Sequence, residues 1–403
     1  MLIQRWHESR LTRLCLIMCL SFFGLVHTAS VASEKCLFDF GSQFSEGLAR
    51  VQVGDKYGFI DKACEIVIEP EFDWAWWFSD GLAGVDVGDK RGYIDKTGEF
   101  VIRPELDGMD SFSEGLAAVK VGKKWGYVDK TGEFAIKPKF DGTARFSEGL
   151  AAVKVRGKWG YIDKTGEFVI KPKSPTTPFQ FSEGLAPVQV DSEDYLDQTG
   201  RVFSTGKWGY IDRKGQIAVK PEFDDAYRFS EGLAPVQVGE KWGYIDKDGA
   251  IVIKPEFDGA VPFSEGLASV TVGDKDGYIG KDGAIVIKVE FDDAAPFSEG
   301  LASVLVGEKW GYINKEGQIV IKPQFDDSGR FSEGLASVKV GKQWGYIDSS
   351  GDYLRAKQPG PLGQSAPCSL RGGIENLTDC PRNREDSSVG RDAPAEEREV
   401  LNE

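Results

Sequence analysis

Residues 158–172, KWGYIDKTGEFVIKP, decide the fold, because near copies of this stretch occur at 124–138, 207–221, 241–255 and 309–323. Together with the motif FSEGLA before it, the stretch forms a repeating unit. The first residue of that motif is a phenylalanine that marks nine units, at Phe44, Phe78, Phe112, Phe146, Phe181, Phe229, Phe263, Phe297 and Phe331. The markers are 34 or 35 residues apart, except for one step of 48. This regularity predicts a tandem array of one small structural unit.

Each unit is predicted to be a β-meander, because glycine and proline recur where helices would have to run. LAAVKV (116–121) alternates between apolar and polar residues and predicts a first strand. WGYVD (125–129) predicts a second strand, and FAIK (134–137) a third that ends at Pro138. The glycine-containing turn between them suits positive φ. The unit is therefore three antiparallel strands and a longer loop.

The fold class is therefore predicted to be all-β, a tandem array of nine three-stranded antiparallel meanders of 34 residues over 34–351. A single meander buries little apolar surface, whereas stacked neighbours share a core. Two geometries fit, an open solenoid-like array and a closed β-propeller. Propellers usually have four to eight blades of four strands and about 40–50 residues. The open array is the favoured prediction.

The phrase KWGYIDKTGEFVIKP with FSEGLA before it resembles the WG repeat, also called the KWG repeat, of bacterial proteins, over residues 44–351. The resemblance implies a bacterial protein that interacts through its repeats, without a defined reaction. The structural Trp-Gly pairs of the regular units are Trp125 and Gly126, Trp159 and Gly160, Trp208 and Gly209, Trp242 and Gly243, Trp310 and Gly311, and Trp344 and Gly345. Tyr57, Arg91 and Asp276 replace the tryptophan in three units, which we expect to pack less well there.

Residues 1–33 are predicted to be a signal peptide, because three arginines precede an apolar run of 13 residues (14–26) and a small-residue exit. Cleavage is expected after Ala32 or Ser33. The alternative is a buried helix or an uncleaved anchor. Thirteen apolar residues are short for a bilayer, so no stable transmembrane segment is expected after cleavage. The protein is thus predicted to be exported, to the periplasm, the cell surface or the medium.

Cleavage would remove both histidines and two of the six cysteines. The remaining cysteines are Cys36, Cys64, Cys368 and Cys380. An even number in an exported protein predicts disulfides, Cys36–Cys64 in the first unit and Cys368–Cys380 in the tail, with four free thiols as the alternative. The formal charge of −15 argues against nucleic acid as a partner and against docking on anionic lipid by charge.

Departures from the repeat are the candidates for a functional site. DWAWWFSDG (73–81) places Trp74, Trp76 and Trp77 in a loop where other units have small or polar residues. Tryptophan faces stack on sugar rings or anchor protein partners, so these three residues are the predicted binding site. The alternative is that they cover the open end of the array, because terminal repeats are atypical.

Two further segments interrupt the pattern. The irregular insertion 173–206 carries acidic residues that are weak candidates for calcium binding, namely Asp191, Glu193, Asp194 and Asp197. A solvated acidic loop is the alternative. No other metal ligands and no cofactor are predicted. The C-terminal tail, 352–403, is rich in Pro, Gly, Arg and Glu and is predicted to be disordered.

No catalytic signature of a hydrolase, nucleotide-binding or metalloprotease family occurs in the sequence. The glutamates of FSEGLA recur in every unit, with Asp80 in the second, and are expected to serve the same loop each time, through backbone hydrogen bonds. We therefore predict a non-enzymatic exported scaffold that binds a protein or a cell-envelope glycan. The alternatives are a glycan hydrolase or lyase that uses the acidic middle segment, and a purely structural envelope protein.

Overall fold

The strands of this chain form nine small antiparallel sheets, which we number 1 to 9 in chain order. The computed structural model describes residues 35–174, 179–190 and 206–355. Within these residues, seven sheets have four strands and two sheets, 5 and 9, have three. The all-β prediction is therefore confirmed. The described residues form no helix with the length and apolar character that a bilayer crossing requires.

The strands of sheets 1 to 3 are β1 (Phe40–Ser45), β2 (Leu48–Val53), β3 (Lys56–Asp61), β4 (Ile66–Phe72), β5 (Trp74–Ala75), β6 (Ala83–Val87), β7 (Lys90–Ile94), β8 (Phe100–Leu106), β9 (Gly108–Met109), β10 (Leu116–Val121), β11 (Lys124–Asp129) and β12 (Phe134–Phe140). Those of sheets 4 to 6 are β13 (Gly142–Thr143), β14 (Ala151–Val155), β15 (Lys158–Ile162), β16 (Phe168–Ser174), β17 (Leu185–Val190), β18 (Lys207–Asp212), β19 (Ile217–Phe223), β20 (Asp225–Ala226), β21 (Ala234–Val238), β22 (Lys241–Ile245) and β23 (Ile251–Phe257). Those of sheets 7 to 9 are β24 (Gly259–Ala260), β25 (Ala268–Val272), β26 (Lys275–Ile279), β27 (Ile285–Phe291), β28 (Asp293–Ala294), β29 (Leu301–Val306), β30 (Lys309–Asn314), β31 (Ile319–Phe325), β32 (Asp327–Ser328), β33 (Ala336–Val340) and β34 (Gln343–Ile347).

The four-stranded plan corrects the prediction of three strands per unit. The additional strand is usually two residues long, as in β9, which pairs with β10 at the start of sheet 3. Two residues are too few to show a period of two in a sequence. The last strand is also longer than FAIK, because β12 continues past Pro138 to Phe140. A bulge opposite Gly126 accommodates the proline on this edge strand.

The glycine after the tryptophan is required by this bulge. A Cβ on Gly126 would lie 2.4 Å from the carbonyl oxygen of Ile136 and 2.7 Å from the nitrogen of Pro138. Any side chain would therefore displace the last strand of the sheet. The tryptophan before the glycine is half-buried, and the Lys120 ammonium lies 6.0 Å from the centre of the Trp125 ring.

The core lies between successive sheets. The tyrosine of WGY in one sheet packs edge-on against the marker phenylalanine of the next, as Tyr127 does with Phe146 at 4.9 Å between ring centres. Both side chains are almost fully buried. The Tyr127 hydroxyl donates to the carbonyl oxygen of Ala144, 2.8 Å away, in that next sheet. The two most regular motifs of the repeat are therefore the two sides of one interface.

Each FSEGLA turn is also bonded to the turn of the following sheet. The Ser113 hydroxyl donates to the carbonyl oxygen of Phe146 at 2.8 Å, and the Gly149 N–H donates to the Glu114 carboxylate at 3.0 Å. Such a pair of bonds occurs at all nine junctions. The nine carboxylates are Glu46, Asp80, Glu114, Glu148, Glu183, Glu231, Glu265, Glu299 and Glu333. Each carboxylate thus accepts a backbone hydrogen bond from the same loop, and that loop belongs to the next sheet.

The backbone of this turn has positive φ at two successive residues, +54° at Glu114 and +85° at Gly115. This is the conformation of a type I′ turn, which fits the twist of a tight hairpin. Positive φ is unfavourable for a residue with a long side chain. The carboxylate bond to the next sheet gives a physical reason for glutamate at this position.

The ninth junction joins sheet 9 to sheet 1 and closes the array. The Ser332 hydroxyl donates to the carbonyl oxygen of Phe44 at 2.8 Å. The Gly47 N–H donates to the Glu333 carboxylate at 3.0 Å, and the Lys62 ammonium lies 2.9 Å from the same carboxylate. The nine sheets therefore form a closed, β-propeller-like ring. The favoured open array was wrong, because sheet 9 is bonded to sheet 1, and a fourth strand gives seven of the nine sheets the plan of a propeller blade.

Two segments from outside the regular array complete sheet 9. Phe38 and Trp344 exchange backbone hydrogen bonds of 2.9 and 2.8 Å, in the place where the last strand would pair. Tyr353 forms a bridge with Ile347 on the other half of the same strand. The N–H of Cys36 donates to the carbonyl oxygen of Leu354, which joins the two segments. The segment before the repeats and the segment after them thus form one composite strand, which completes sheet 9.

The Cys36–Cys64 disulfide, the pairing predicted for the first unit, fastens this junction. At each of the other eight junctions a turn glycine packs against an isoleucine or valine of the preceding sheet, as Gly98 does against Ile68. Cys64 stands in the glycine position, with a φ of +63°, and Cys36 stands in the composite strand of sheet 9. A covalent bond therefore replaces one packing contact. Cys368 and Cys380 lie outside the described residues.

The irregular middle does not interrupt the ring. The Ser182 hydroxyl donates to the carbonyl oxygen of Phe229 at 2.8 Å, although 47 residues separate them. On the other side, the Gly184 N–H donates to Glu148 at 2.9 Å. The additional residues of this unit are therefore accommodated between β17 and β18 without a change in the junctions. The predicted signal peptide lies outside the described residues, as does the predicted tail beyond residue 355.

The closing junction can be tested against an internal one with a matched pair of substitutions. Glu333→Gln and Glu231→Gln remove equivalent carboxylates, which bond Gly47 and Gly266 and pair with Lys62 and Lys281. Each should lower the free energy of unfolding by about 1 kcal/mol, because the bond is charge-assisted but part-exposed. Urea denaturation measures both. A closed ring is contradicted if only Glu231→Gln is destabilising.

The disulfide should stabilise the ring measurably. Closing a loop of 28 residues corresponds to about 3.5 kcal/mol in the chain-entropy account, so Cys36→Ser with Cys64→Ser should lower the thermal midpoint by several degrees. Cys36→Ile with Cys64→Gly should recover part of the loss, because it restores the packing pair of the other junctions. Thermal unfolding with and without reductant is the measurement. If reductant leaves the thermal midpoint of the wild-type protein unchanged, the disulfide does not stabilise the ring.

Candidate functional site

The three tryptophans of DWAWWFSDG differ in their surroundings. Trp74 in β5 is 41% exposed and Trp77 is 44% exposed, whereas Trp76 is only partly accessible. Ala75 between them is fully buried. The three residues therefore do not form one exposed cluster. In a closed ring there is no open end for them to cover, so that alternative was wrong.

Trp76 serves the packing between strands. Its Cγ would lie 3.7 Å from a Cβ built on Gly84, and Met109 of the next sheet approaches the same glycine. The backbone N–H of Trp76 donates to the carbonyl oxygen of Gly84 at 2.9 Å. Gly84 thus leaves room for Met109, and Trp76 packs against the core that contains this methionine. This tryptophan therefore contributes to packing rather than to a binding surface.

Trp74 is covered in part by two side chains of the neighbouring sheet. The Arg50 guanidinium carbon lies over the indole, 4.7 Å from the ring centre, and the Tyr57 ring meets it at 4.9 Å with an interplanar angle of 61°. Both neighbours belong to sheet 1, whereas Trp74 belongs to sheet 2. Arg50 and Tyr57 thus hold the indole against sheet 1, and 41% of Trp74 remains exposed.

Arg50 is the charged residue that the sequence analysis overlooked. Its side chain is 9% exposed, and the corresponding residues of the other sheets are Gly, Ala, Ser or Pro. The guanidinium lies 5.0 Å from the Phe40 ring centre and 5.4 Å from that of Tyr57, and burial lowers its pKa. Its Nε has no hydrogen-bond acceptor among the described residues. Three aromatic faces stabilise this buried cation in place of a carboxylate.

A local change in sheet 1 accounts for an arginine at this position. Phe59 stands where the other sheets have the tyrosine whose hydroxyl bonds the next sheet, as Tyr93 does with the carbonyl oxygen of Asp110. Phe59 has no hydroxyl to donate. Arg50 Nη1 donates instead to the carbonyl oxygen of Ala75 in sheet 2. The detectable signal was a large basic residue where every other unit has a small residue or proline.

Sheet 2 carries a row of three side chains on one face. Trp74 in β5 is opposite Asp86 in β6, which is opposite Arg91 in β7. Arg91 Nε lies 3.4 Å from Asp86 Oδ1, and Arg91 Nη1 donates to the carbonyl oxygen of Asp107 at 2.8 Å. Burial raises the pKa of the Asp86 carboxyl, and Arg91 only partly offsets this.

The tryptophan of this row lies on the first strand of sheet 2, whereas in sheet 3 it lies on the third strand. In sheet 3 the corresponding row is Gly108, Lys120 and Trp125, and the indole reaches back over the glycine, whose Cβ would lie 3.2 Å from it. Sheet 2 has the reverse order, with tryptophan on the first strand and a charged residue on the third. Because of this reversal, the indole of sheet 2 is exposed to solvent, whereas the indole of sheet 3 covers a glycine.

The other two departures from the Trp-Gly pattern also contact the following sheet. The ring of Tyr57 packs on Trp74, and the Asp276 carboxylate accepts the N–H of Ala294 at 3.0 Å. Burial raises the pKa of Asp276, and its bonds only partly offset this. The three replacements, Arg91 included, thus keep an inter-sheet contact.

The remaining site candidates are acidic. The calcium candidates Asp191, Glu193, Asp194 and Asp197 lie outside the described residues. Within the part of the chain that the structure describes, no group of three or more His, Cys, Asp or Glu side chains could hold a metal ion. The recurring carboxylates of FSEGLA are engaged at the junctions.

Comparison with known proteins supports the repeat and the fold. No significant match exists among curated proteins. A solved structure titled "Crystal structure of the eukaryotic initiation factor" is similar, with a TM-score of 0.53 and 10% identity over 79% of this chain and 95% of that chain. At this identity the likeness concerns the fold alone. BamB from Moraxella catarrhalis has a TM-score of 0.38 and 9% identity over 76% of this chain and 98% of that chain, which is too low to support an inference.

The sequence itself matches a known repeat nine times, as the WG containing repeat. The matched residues are 35–57, 57–90, 92–125, 125–159, 159–193, 208–242, 242–275, 277–310 and 310–344. These ranges cover well over half of the chain and leave out the irregular residues between 193 and 208. The resemblance drawn from KWGYIDKTGEFVIKP is therefore confirmed, and the chain belongs to the WG containing repeat family.

Proposed function

We propose that this protein is a non-enzymatic exported scaffold that binds a protein or a cell-envelope glycan, with Trp74 and Trp77 on its binding surface. The observation that carries the proposal is the exposure of both indoles, 41% and 44%, on a ring that has no open end for them to cover. Large aromatic side chains that remain in solvent are the typical anchors of binding surfaces.

The structural contacts of the recurring carboxylates in the described residues support a scaffold. A glycoside hydrolase needs two carboxylates placed together in one cleft. Here the recurring carboxylates hold the junctions. Asp73, which follows sheet 1, accepts hydrogen bonds from the Lys56 ammonium and the Gly88 N–H, and equivalent aspartates follow six further sheets in the described residues. These groups are structural in their described contacts.

Export is the second part of the proposal. Its support is the predicted signal peptide, 1–33, together with the Cys36–Cys64 disulfide, because disulfides persist in oxidising compartments. A periplasmic, surface or extracellular location would bring the ring into contact with envelope glycans and proteins.

The proposal predicts retention without product. Purified protein should be retained on peptidoglycan sacculi or should capture a defined component from envelope extract, and Trp74→Ala with Trp77→Ala should abolish this. Tyr227→Ala is the matched control, because Tyr227 is 41% exposed but stacks on Trp242 in sheet 6. Circular dichroism checks that each variant folds.

Two results would contradict the proposal. Release of soluble sugars from sacculi or from a polysaccharide panel would show an enzyme. Failure of the folded wild-type protein to bind any envelope component would leave only a structural role.

A further inference from the structure

The row on sheet 2 combines a flat apolar surface with two hydrogen-bonding groups. Trp74, Asp86 and Arg91 are cross-strand neighbours on one face. Adjacent strands are about 5 Å apart, so the row spans about 10 Å from the indole to the guanidinium. This is the scale of one sugar ring with its hydroxyl groups.

The orientation of Trp74 suits stacking. One face of its indole is covered by the Arg50 guanidinium at 4.7 Å, and the Tyr57 ring meets the indole at 4.9 Å in a T-shaped arrangement. The ring is therefore held in place by two side chains of sheet 1, while 41% of Trp74 stays exposed. A pyranose with equatorial substituents presents a flat face of C–H groups, which carry the partial positive charge that an indole face attracts.

The two polar neighbours have the complementary hydrogen-bonding functions. The Asp86 carboxylate can only accept, and the Arg91 guanidinium can only donate. Their side chains are 21% and 36% exposed. One Arg91 donor is used on Asp107 and one is close to Asp86, which leaves further N–H groups of the fork for a ligand. Sugar hydroxyls both donate and accept, so they match this pair.

The local charges favour an uncharged sugar. Asp86 is paired with Arg91, and Asp73, which precedes Trp74, is paired with Lys56 at 2.5 Å. The single unpaired cation, Arg50, lies behind the indole. The formal charge of −15 for the whole chain further disfavours a polyanionic glycan.

We propose that Trp74, Asp86 and Arg91 bind one pyranose unit of a neutral glycan whose ring substituents are equatorial. The indole stacks on the C–H face of the sugar, and the carboxylate and guanidinium bond its hydroxyl or amide groups. The inference rests on the proposed binding function and narrows it to one ligand class and one sheet. Within the described residues no other sheet has a 41% exposed tryptophan on its first strand.

The first experiment measures binding of chitotetraose and cellotetraose by isothermal titration calorimetry. The wild-type protein should bind at least one of them. Trp74→Ala should weaken binding at least tenfold, and Asp86→Asn should weaken it severalfold because a charged acceptor is lost. Tyr227→Ala in sheet 6 should leave the affinity unchanged, since this exposed ring belongs to another sheet.

A second measurement remains informative if Trp74→Ala fails to fold. Protein labelled with 5-fluorotryptophan has a fluorine resonance for Trp74, assigned as the one that disappears in Trp74→Phe. Chitotetraose or cellotetraose should shift this resonance more than any other.

The outcomes separate the inference from the proposed function. Sugar binding that leaves the Trp74 resonance unmoved would overturn the inference and leave a glycan-binding scaffold. Capture of a protein through Trp74 without binding of either sugar would overturn the inference alone. A folded wild-type protein that binds neither sugar, nor sacculi, nor an envelope protein would overturn both.

Discussion

The hydrogen bond from one FSEGLA carboxylate to the turn amide of the next sheet is the contact on which the ring depends. Each bond is worth about 1 kcal/mol at most in this part-exposed setting. Its effect comes from repetition, because at each of the nine junctions two side chains of one sheet bond the turn backbone of the next, the carboxylate as acceptor and the serine as donor. They align the sheets so that each buried tyrosine meets the phenylalanine of its neighbour. A sheet of three or four short strands has too little core to be stable alone, so alignment and stability depend on each other.

The regular part of each unit could be predicted from sequence because its signals are local. Alternation in LAAVKV, the turn glycine and the glycine after tryptophan each leave a pattern within a few residues. The two-residue strand β9 leaves none, because two residues have no period. Closure of the ring also leaves no pattern in the sequence. The bond between Glu333 and Gly47 is made by the same residue types that join the other sheets. A closed ring and an open array therefore have almost the same repeat sequence. Cys64 in a glycine position was the one local sign of a special junction.

The candidate site shows the same division between local and non-local signals. Trp74 stands out in the sequence, since other units have no tryptophan there. Asp86 and Arg91 become its neighbours only through the register of β5, β6 and β7, and Arg50 reaches it from another sheet. Trp76 and Trp77 share the sequence signal of Trp74, yet Trp76 packs against the buried core and Trp77 stands apart from the row. Sequence therefore located the region, whereas register and burial distinguish a packing tryptophan from an exposed platform.

Ring closure is the central claim, and carbodiimide cross-linking of the monomeric wild-type protein tests it most directly. This reagent joins an amine to a carboxylate only where they are in contact. Lys62 lies 2.9 Å from Glu333, and Lys281 lies 3.1 Å from Glu231 at an internal junction. The ring predicts that mass spectrometry finds both isopeptide links with similar yield, although 271 residues separate the first pair (333 less 62). Detection of the Lys281–Glu231 link without the Lys62–Glu333 link would contradict a closed ring.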